Sequence, residues 1–169
     1  MLHPAALRPG AEVMSGKVCI RGATKPVKMN MQIRVLVVDD HEPFRRIVCS
    51  MLQEQANVQV VGEVQDGLEA VRQAELLQPD LIILDIGLPG LNGIEAARRI
   101  GKVASAARIN FLTQECAPDV VKEAFSLGAW GYIIKARAGA ELLAAVEAVS
   151  HGRTFVSDGL DGGGKPRMA

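Results

Sequence analysis

The chain has 169 residues, of which 49% are hydrophobic, and its 19 basic and 19 acidic residues give a formal net charge of +0 at pH 7. This length suggests one domain with additional segments, and the hydrophobic fraction is sufficient for a buried core. The balanced charge excludes a strong overall attraction to nucleic acid or to an anionic membrane. The three cysteines, Cys19, Cys49 and Cys116, have neither metal-ligand nor CxxC spacing, which favours a reducing compartment.

The first 31 residues have a different character from the rest of the chain. They contain several Pro and Gly residues and no sustained periodicity, and five basic residues there stand against one acid, Glu12. We therefore expect residues 1–31 to be a flexible extension without an assigned role.

No apolar run in the chain approaches the roughly 18 residues of a membrane span. The sequence thus predicts a soluble, cytoplasmic protein that does not contact the membrane.

From residue 33 onward, apolar runs typical of strands alternate with segments that have the apolar spacing of amphipathic helices. In chain order, the predicted strands are Ile33–Val38, Val58–Val64, Leu81–Leu84, Arg108–Leu112 and Gly131–Ile134. The apolar faces of the five intervening helices are predicted at Phe44, Ile47, Val48, Met51 and Leu52; at Leu68, Val71 and Leu77; within residues 94–102; at Val121, Ala124 and Phe125; and at Leu142, Leu143, Val146 and Val149. Pro118 suits a helix start and Gly152 a helix end.

Continuous apolar strands joined by helices favour a parallel sheet covered on both faces. The crossover connections of such a sheet are right-handed. The sequence therefore predicts an α/β fold, a doubly wound, flavodoxin-like (βα)5 sheet with strand order 2-1-3-4-5. We expect one domain over residues 32–157, followed by a Gly-rich, flexible tail at residues 158–169.

Polar residues follow four of the predicted strands at their carboxyl ends. Asp39 and Asp40 follow the first strand, Asp85 the third, Thr113 the fourth and Lys135 the fifth. Open α/β sheets bind ligands at this edge, so we expect these groups to converge in one crevice. Read singly, each has a simpler interpretation, such as a helix cap for the paired acids or a solvated side chain for the lysine.

Three clustered carboxylates repel one another unless a positive charge is present. Lys135 is one candidate for this charge, and a hard cation such as Mg²⁺, which accepts carboxylate, carbonyl and water oxygens, is another. The absence of a His or thiolate cluster argues against zinc. A carboxylate beside Mg²⁺, a lysine and a hydroxyl group suits nucleophilic phosphoryl transfer that yields an aspartyl phosphate.

Together these residues resemble the receiver domain of bacterial response regulators. The resemblance rests on Asp39-Asp40, Asp85 with Pro89 and Gly93 after it, Thr113, and Lys135 preceded by Gly131-Tyr132, and it covers about residues 33–156. The segments DDHE, GAWGYIIK and HGRTFVS are similar to the receivers of regulators that carry a LuxR-type helix-turn-helix domain.

The resemblance implies a two-component signalling switch rather than an enzyme. Asp85 would accept a phosphoryl group from a histidine kinase or phosphotransfer protein. The implied Mg²⁺ ligands are Asp39, Asp40, Asp85 and the backbone carbonyl of Gly87.

The implied contacts to the phosphoryl oxygens come from Thr113 and Lys135, and the implied switch aromatic is Tyr132. The read-out face would then comprise the fourth helix, the fifth strand and the fifth helix, used for partner binding or for homodimerisation. Nucleic acid contact by this chain itself is not expected.

Three positions depart from the family pattern. Ala136 follows Lys135 where many receivers have a cis proline; because a non-proline cis bond costs about 3 kcal/mol, we expect a trans bond or a locally strained loop. Gln114 replaces a small residue and would narrow the approach to the site. Gly87 lacks a side chain that often tunes dephosphorylation. These departures bear on the rate of phosphorylation and on the lifetime of the phosphate.

Other interpretations remain open at this level. The chain could be a pseudo-receiver that binds partners without phosphate, or the receiver fragment of a DNA-binding transcriptional regulator. A phosphatase of the haloacid dehalogenase type is disfavoured, because that family has a DxD motif on its first strand and a cap domain. His41 and Cys116 lie near the acids in sequence or in the expected fold, but neither has a partner that indicates a role.

Overall fold

A computed structural model describes residues 32–160, so the expected N-terminal extension and most of the expected tail lie outside the described residues. The strands are β1 (Ile33–Val38), β2 (Val58–Val64), β3 (Leu81–Leu84), β4 (Arg108–Thr113), β5 (Gly131–Ile134) and β6 (Phe155–Val156). The helices are α1 (Glu42–Gln53), α2 (Gly67–Leu77), α3 (Gly93–Val103), α4 (Pro118–Ser126) and α5 (Ala138–Ser150), with a 3₁₀ turn at Lys135–Arg137.

All strand pairs in the sheet are parallel, and the spatial order is β2-β1-β3-β4-β5-β6. The predicted order 2-1-3-4-5 is therefore confirmed. Strand β6 is an addition that the sequence did not reveal, because a two-residue strand is too short to have a detectable period. The Phe155 amide in β6 donates to the carbonyl of Trp130, just before β5, and the Ser157 amide, just after β6, donates to the Tyr132 carbonyl; both distances are 2.9 Å.

The core lies in two layers, one on each face of the sheet. Side chains of β3 alternate between them: Leu81 and Ile83 face α1 and α5, whereas Ile82 and Leu84 face α2, α3 and α4. All four are at most 2% exposed. An uninterrupted apolar run is what a strand buried on both faces requires.

Two helices expose residues that the periodicity predicted on their apolar faces. Ile47 on α1 is 56% exposed and Leu68 on α2 is 57% exposed, so these two assignments were wrong. Helix α2 instead buries two small side chains, Ala70 and Ala74. Small residues let a helix approach its neighbours closely, and a search for large apolar residues overlooks them.

Local polar residues set where α2 and α3 begin. The Asp66 side chain accepts a hydrogen bond from the Glu69 amide at 2.8 Å, and the Asn92 side chain accepts one from the Glu95 amide at 2.9 Å. These caps satisfy amides that have no partner within the helix. Helix α4 begins at Pro118, as predicted, without a side-chain cap. Within residues 32–160, no helix is both long enough and apolar enough to cross a membrane.

Candidate functional site

The register of the central strands brings two buried acids together. Val38, the last residue of β1, pairs with Leu84, the last residue of β3, so Asp39 and Asp85 follow side by side. The Asp85 amide donates to the Val38 carbonyl at 2.9 Å. Asp39 is 3% exposed and Asp85 is 5% exposed. Both carboxylates are therefore largely removed from water and need compensating partners.

Lys135 supplies that compensation. Its Nζ atom lies 2.7 Å from Asp39 Oδ2 and 2.7 Å from Asp85 Oδ2, and 5.0 Å from the centroid of the Phe44 ring. Burial acts to lower the pKa of Lys135, but the hydrogen bonds to the two carboxylates outweigh it and raise the pKa above its usual value. The lysine is thus held in its charged form between the acids.

A third acid, Asp40, completes the acidic cluster and is exposed. One carboxylate oxygen from each of Asp39, Asp40 and Asp85 can be chosen so that all three lie within 4.8 Å of one another. The single ammonium of Lys135 leaves two of these negative charges uncompensated. Hard oxygen donors with an excess of two negative charges fit a Mg²⁺ ion.

The loop after β3 packs closely around Asp85. The Gly87 amide donates to Asp85 Oδ1 at 3.2 Å, and a Cβ at Gly87 would lie 3.9 Å from both carboxylate oxygens. A Cβ at Gly93 would lie only 2.0 Å from the Asp85 carbonyl oxygen. Any side chain at Gly93 would therefore push the start of α3 away from Asp85, whereas Gly87 has room for a substituent.

Thr113 and Tyr132 are joined to each other through the backbone of Glu115 in the loop after β4. The Glu115 amide donates to Thr113 Oγ1 at 3.2 Å, and the Tyr132 hydroxyl donates to the Glu115 carbonyl at 2.9 Å. The Glu115 side chain accepts from the amides of Cys116 and Ala117, just before α4. This loop therefore links Thr113, Tyr132 and the start of α4.

Tyr132 has an inward orientation. Its side chain is fully buried, with ring centroids 6.1 Å from Phe111 and 6.5 Å from Phe125. Burial, together with the nearby Glu115 charge, raises the pKa of Tyr132 well above its usual value. The hydroxyl therefore stays protonated as the donor to the Glu115 carbonyl.

Two of the positions that depart from the family pattern lie next to site residues in the sequence: Ala136 follows Lys135, and Gln114 follows Thr113. No peptide bond among residues 32–160 is cis, so the Lys135–Ala136 bond is trans, and the chain continues through the 3₁₀ turn into α5. Gln114 is exposed in the loop after Thr113. Neither position contributes to the ion-paired centre, by which we mean Lys135 with Asp39 and Asp85.

Sequence reasoning did not identify Arg45. Its Nη1 donates to the Asp39 carbonyl at 2.7 Å, and its Nε lies 3.5 Å from Glu63 Oε2 with a side chain that is only 13% exposed. The backbone of Asp39 is thus held by α1 and β2 together. The sequence signal is only an arginine one turn into the helix, and nothing in it indicates a backbone carbonyl as the partner.

Asp39 does not have the helix-capping role that the simpler interpretation assigned to it, because the N-cap residue of α1 is His41 and the helix has no side-chain cap. The Asp39 Oδ1 accepts from the His41 amide at 2.9 Å in the turn before α1, whereas its Oδ2 contacts Lys135. One carboxylate therefore both shapes this turn and contacts the lysine.

Comparisons with known proteins agree with this geometry. Residues 35–147 match the family described as response regulator receiver domain. The transcriptional regulatory protein LiaR of Bacillus subtilis (strain 168) is 39% identical over 120 residues, which are 71% of this chain and 57% of LiaR. The response regulator protein VraR of Staphylococcus aureus (strain NCTC 8325 / PS 47) is 36% identical over 124 residues, 73% of this chain and 59% of VraR. The chain thus spans less than two thirds of these relatives.

Solved structures lead to the same family. A two-component response regulator of the LuxR family from Aurantimonas sp. SI85-9A1 is 36% identical with a TM-score of 0.73, over 76% of this chain and 92% of that one. The signal receiver domain of the putative response regulator NarL from Mycobacterium tuberculosis is 32% identical with a TM-score of 0.68, over 72% of this chain and 98% of that one. The chain therefore belongs to the response regulator receiver domain family, the phosphorylation-based signalling domains of two-component systems.

Proposed function

We propose that residues 32–157 form a phosphorylatable switch in which Asp85 accepts a phosphoryl group from a histidine kinase or a phosphotransfer protein. The observation that carries this proposal is the position of Lys135 Nζ, 2.7 Å from both Asp85 and Asp39. A pseudo-receiver that signals without phosphate is disfavoured, because all three acids and the lysine are present and the lysine contacts two of the acids.

The two carboxylate oxygens of Asp85 have different contacts and therefore different proposed roles in the transfer. Lys135 contacts Oδ2 at 2.7 Å, whereas Oδ1 accepts a longer bond of 3.2 Å from the Gly87 amide, so we assign Oδ1 as the attacking oxygen. It forms a bond to phosphorus while the bond from phosphorus to the donor imidazole breaks. The electron pair of that bond stays on the imidazole, which takes up a proton from solvent. Lys135 then neutralises a phosphoryl oxygen.

Receiver domains in general bind Mg²⁺ at an acidic pocket, and the acids of this chain fit that ion. Asp39, Asp40 and Asp85, with the backbone carbonyl of Gly87, would hold it. When bound, Mg²⁺ supplies positive charge that offsets the negative charge of the phosphoryl oxygens.

The conformational response to phosphorylation would pass through Glu115, whose backbone is hydrogen-bonded to both Thr113 and Tyr132. When Thr113 moves toward the phosphoryl group to donate its hydroxyl proton, its Oγ1 also moves relative to the Glu115 amide that donates to it. Because Tyr132 donates to the carbonyl of the same residue, the loop, the aromatic ring and the start of α4 respond together. Phosphorylation thus biases a two-state element. The face formed by α4, β5 and α5 would bind a partner or a second copy of the chain.

The test is mass spectrometry of the intact protein after treatment with a small acyl phosphate and Mg²⁺. The wild-type chain should gain one phosphoryl group, and Asp85→Asn should gain none, because the amide is not a nucleophile. Asp40→Asn is the matched control: it removes an acid from the same cluster but keeps Asp85, so labelling should be slower and still present. Labelling of Asp85→Asn would show that another residue is the acceptor.

A further inference from the structure

The segment that follows α5 packs back against β5 near the ion-paired centre. Phe155 and Val156 pair with Gly131 and Tyr132 as the short strand β6. Ser157, the next residue, is fully buried although its side chain is polar. A buried hydroxyl group requires hydrogen-bond partners, and the partners of Ser157 lie beside Lys135.

Ser157 makes two side-chain hydrogen bonds. Its Oγ accepts from the Ile134 amide at 2.9 Å and donates to Glu141 Oε2. Strand β6 ends at Val156, so the Ile134 amide lies beyond the last strand pair, and the serine hydroxyl takes the place of a strand partner. Ile134 directly precedes Lys135, so this bond fixes the backbone from which the lysine side chain extends.

Glu141 holds the Ser157 hydroxyl in place. Burial acts to raise the pKa of Glu141, but hydrogen bonds from Ser157 and Arg137 outweigh it and lower the pKa below its usual value. Arg137 Nη1 lies 2.9 Å from Glu141 Oε1 and 3.4 Å from Asp158 Oδ2. The 3₁₀ turn, the start of α5 and the segment after β6 therefore form one hydrogen-bonded unit.

We infer that Ser157 is a positioning residue for phosphoryl transfer, acting through the Ile134 amide on the backbone of Lys135. This inference rests on the proposed role of Lys135 beside Asp85. A segment that lies after the last helix thus completes a site otherwise built from the carboxyl ends of β1, β3, β4 and β5.

The rate of phosphoryl transfer and the affinity for Mg²⁺ should respond differently to loss of the Ser157 hydroxyl. The acids proposed to bind Mg²⁺ follow β1 and β3, whereas the side-chain hydrogen bonds of Ser157 go to Ile134 in β5 and Glu141 in α5. Loss of the Ser157 hydroxyl should therefore slow phosphoryl transfer, which depends on Lys135. It should not weaken Mg²⁺ binding, because a displaced Lys135 leaves Asp39 and Asp85 with more uncompensated negative charge. A purely structural role would not produce this split.

The experiment compares Ser157→Ala and Ser157→Cys with the wild-type full chain. Cysteine has a similar size but forms weak hydrogen bonds. We expect the labelling rate with a small acyl phosphate to fall about ten-fold in Ser157→Ala, as for loss of one hydrogen bond at a buried amide, and to be intermediate in Ser157→Cys. The Mg²⁺ dissociation constant, measured by titration without phosphodonor, should be no higher than that of the wild type.

The control for lost stability is Val149→Ala. Val149 is buried near the end of α5, far along the helix from Glu141, and its carbonyl accepts from the side chain of Arg108, the first residue of β4. This variant should lower the melting temperature without slowing labelling. If Ser157→Ala does not fold, the rate of Ser157→Cys alone decides the test.

Three results would overturn the inference. The first is a labelling rate in the Ser157 variants equal to that of the wild type. The second is a loss of rate matched by Val149→Ala at the same loss of stability, and the third is a parallel loss of Mg²⁺ affinity. Failure of the proposed function has a different signature, because the wild type would then remain unlabelled or Asp85→Asn would be labelled.

Discussion

At the scale of single residues, the centre depends on one lysine between two nearly buried carboxylates. Lys135 and its partners have lost most of their hydration, and such a group is stable only when its charge is paired. The pairing is incomplete because Asp40 adds a third negative charge to the cluster. The acidic cluster therefore has an electrostatic reason to accept a divalent cation.

Arg45 provides a stability prediction at this scale. Arg45→Met removes a charged donor from the Asp39 carbonyl, so the free energy of unfolding in urea should fall by about 1.5 to 3 kcal/mol. The matched control is Arg46→Met on the same helix. The Arg46 side chain is 75% exposed and, within residues 32–160, forms an ion pair with Glu42 alone, so its loss should cost less than about 1 kcal/mol. Equal losses in the two variants would contradict a specific role for the Asp39 contact.

At the scale of elements, the pairing of β4 with β5 contains an unusual polar residue. Asn110 is fully buried, and neither its Oδ1 nor its Nδ2 has a hydrogen-bond partner among the described residues. It is paired with Gly131, where a Cβ would lie 2.5 Å from Asn110 Oδ1. The missing side chain of the glycine thus provides the space that the amide occupies.

Replacing this amide with an apolar side chain should stabilise the domain. We expect Asn110→Val to raise the free energy of unfolding by about 1 to 3 kcal/mol, because it removes buried polar atoms without partners and favours the strand. Urea unfolding monitored by circular dichroism measures this change.

A double-mutant cycle tests the contact itself. Gly131→Ala should destabilise the wild-type chain and should cost less in an Asn110→Ala background, where the colliding amide is absent. Additive effects of the two substitutions would show that the close approach is not the cause.

At the scale of the whole molecule, three buried groups make stability depend on alkaline pH. Burial, and secondarily the Glu63 charge, raises the pKa of Cys49 from 9.0 to about 12, and burial also raises the pKa of Tyr132. Hydrogen bonds to two carboxylates raise the pKa of Lys135 against the opposing effect of burial. All three groups hold their protons more tightly in the folded state than in the unfolded one.

The sign of the pH dependence follows from these directions. A group with a raised folded-state pKa contributes stability that is complete below its unfolded pKa and is lost as the pH rises toward its folded pKa. The free energy of unfolding should therefore fall from about pH 9 upward, by at most about 1.4 kcal/mol per pH unit for each group. Urea unfolding across this range measures the slope. Cys49→Ala should flatten its first part, and an unchanged slope would exclude the thiol as the cause.

Much of the fold could be predicted from local patterns in the sequence. The five longer strands were predicted within one residue of their observed ends, because buried parallel strands are continuous apolar runs. The convergence of Asp39, Asp85 and Lys135 could also be anticipated, since each directly follows a strand and the sheet order aligns those ends. By contrast, Ile47 and Leu68 were placed on buried faces and are exposed, because their burial depends on where neighbouring helices lie.

The sequence by itself thus determined the alternation of strands and helices, the sheet order and the polar residues at the strand ends, since these follow from periodicity and chain connectivity. Only the tertiary structure decided the contacts that hold these residues in place. Arg45 donates to the carbonyl of Asp39, Glu115 joins Thr113 to Tyr132 through its backbone, and Ser157 accepts from the Ile134 amide. Backbone groups are common to nearly all residue types, so bonds to them have no signature in the sequence and appear only when the chain is folded.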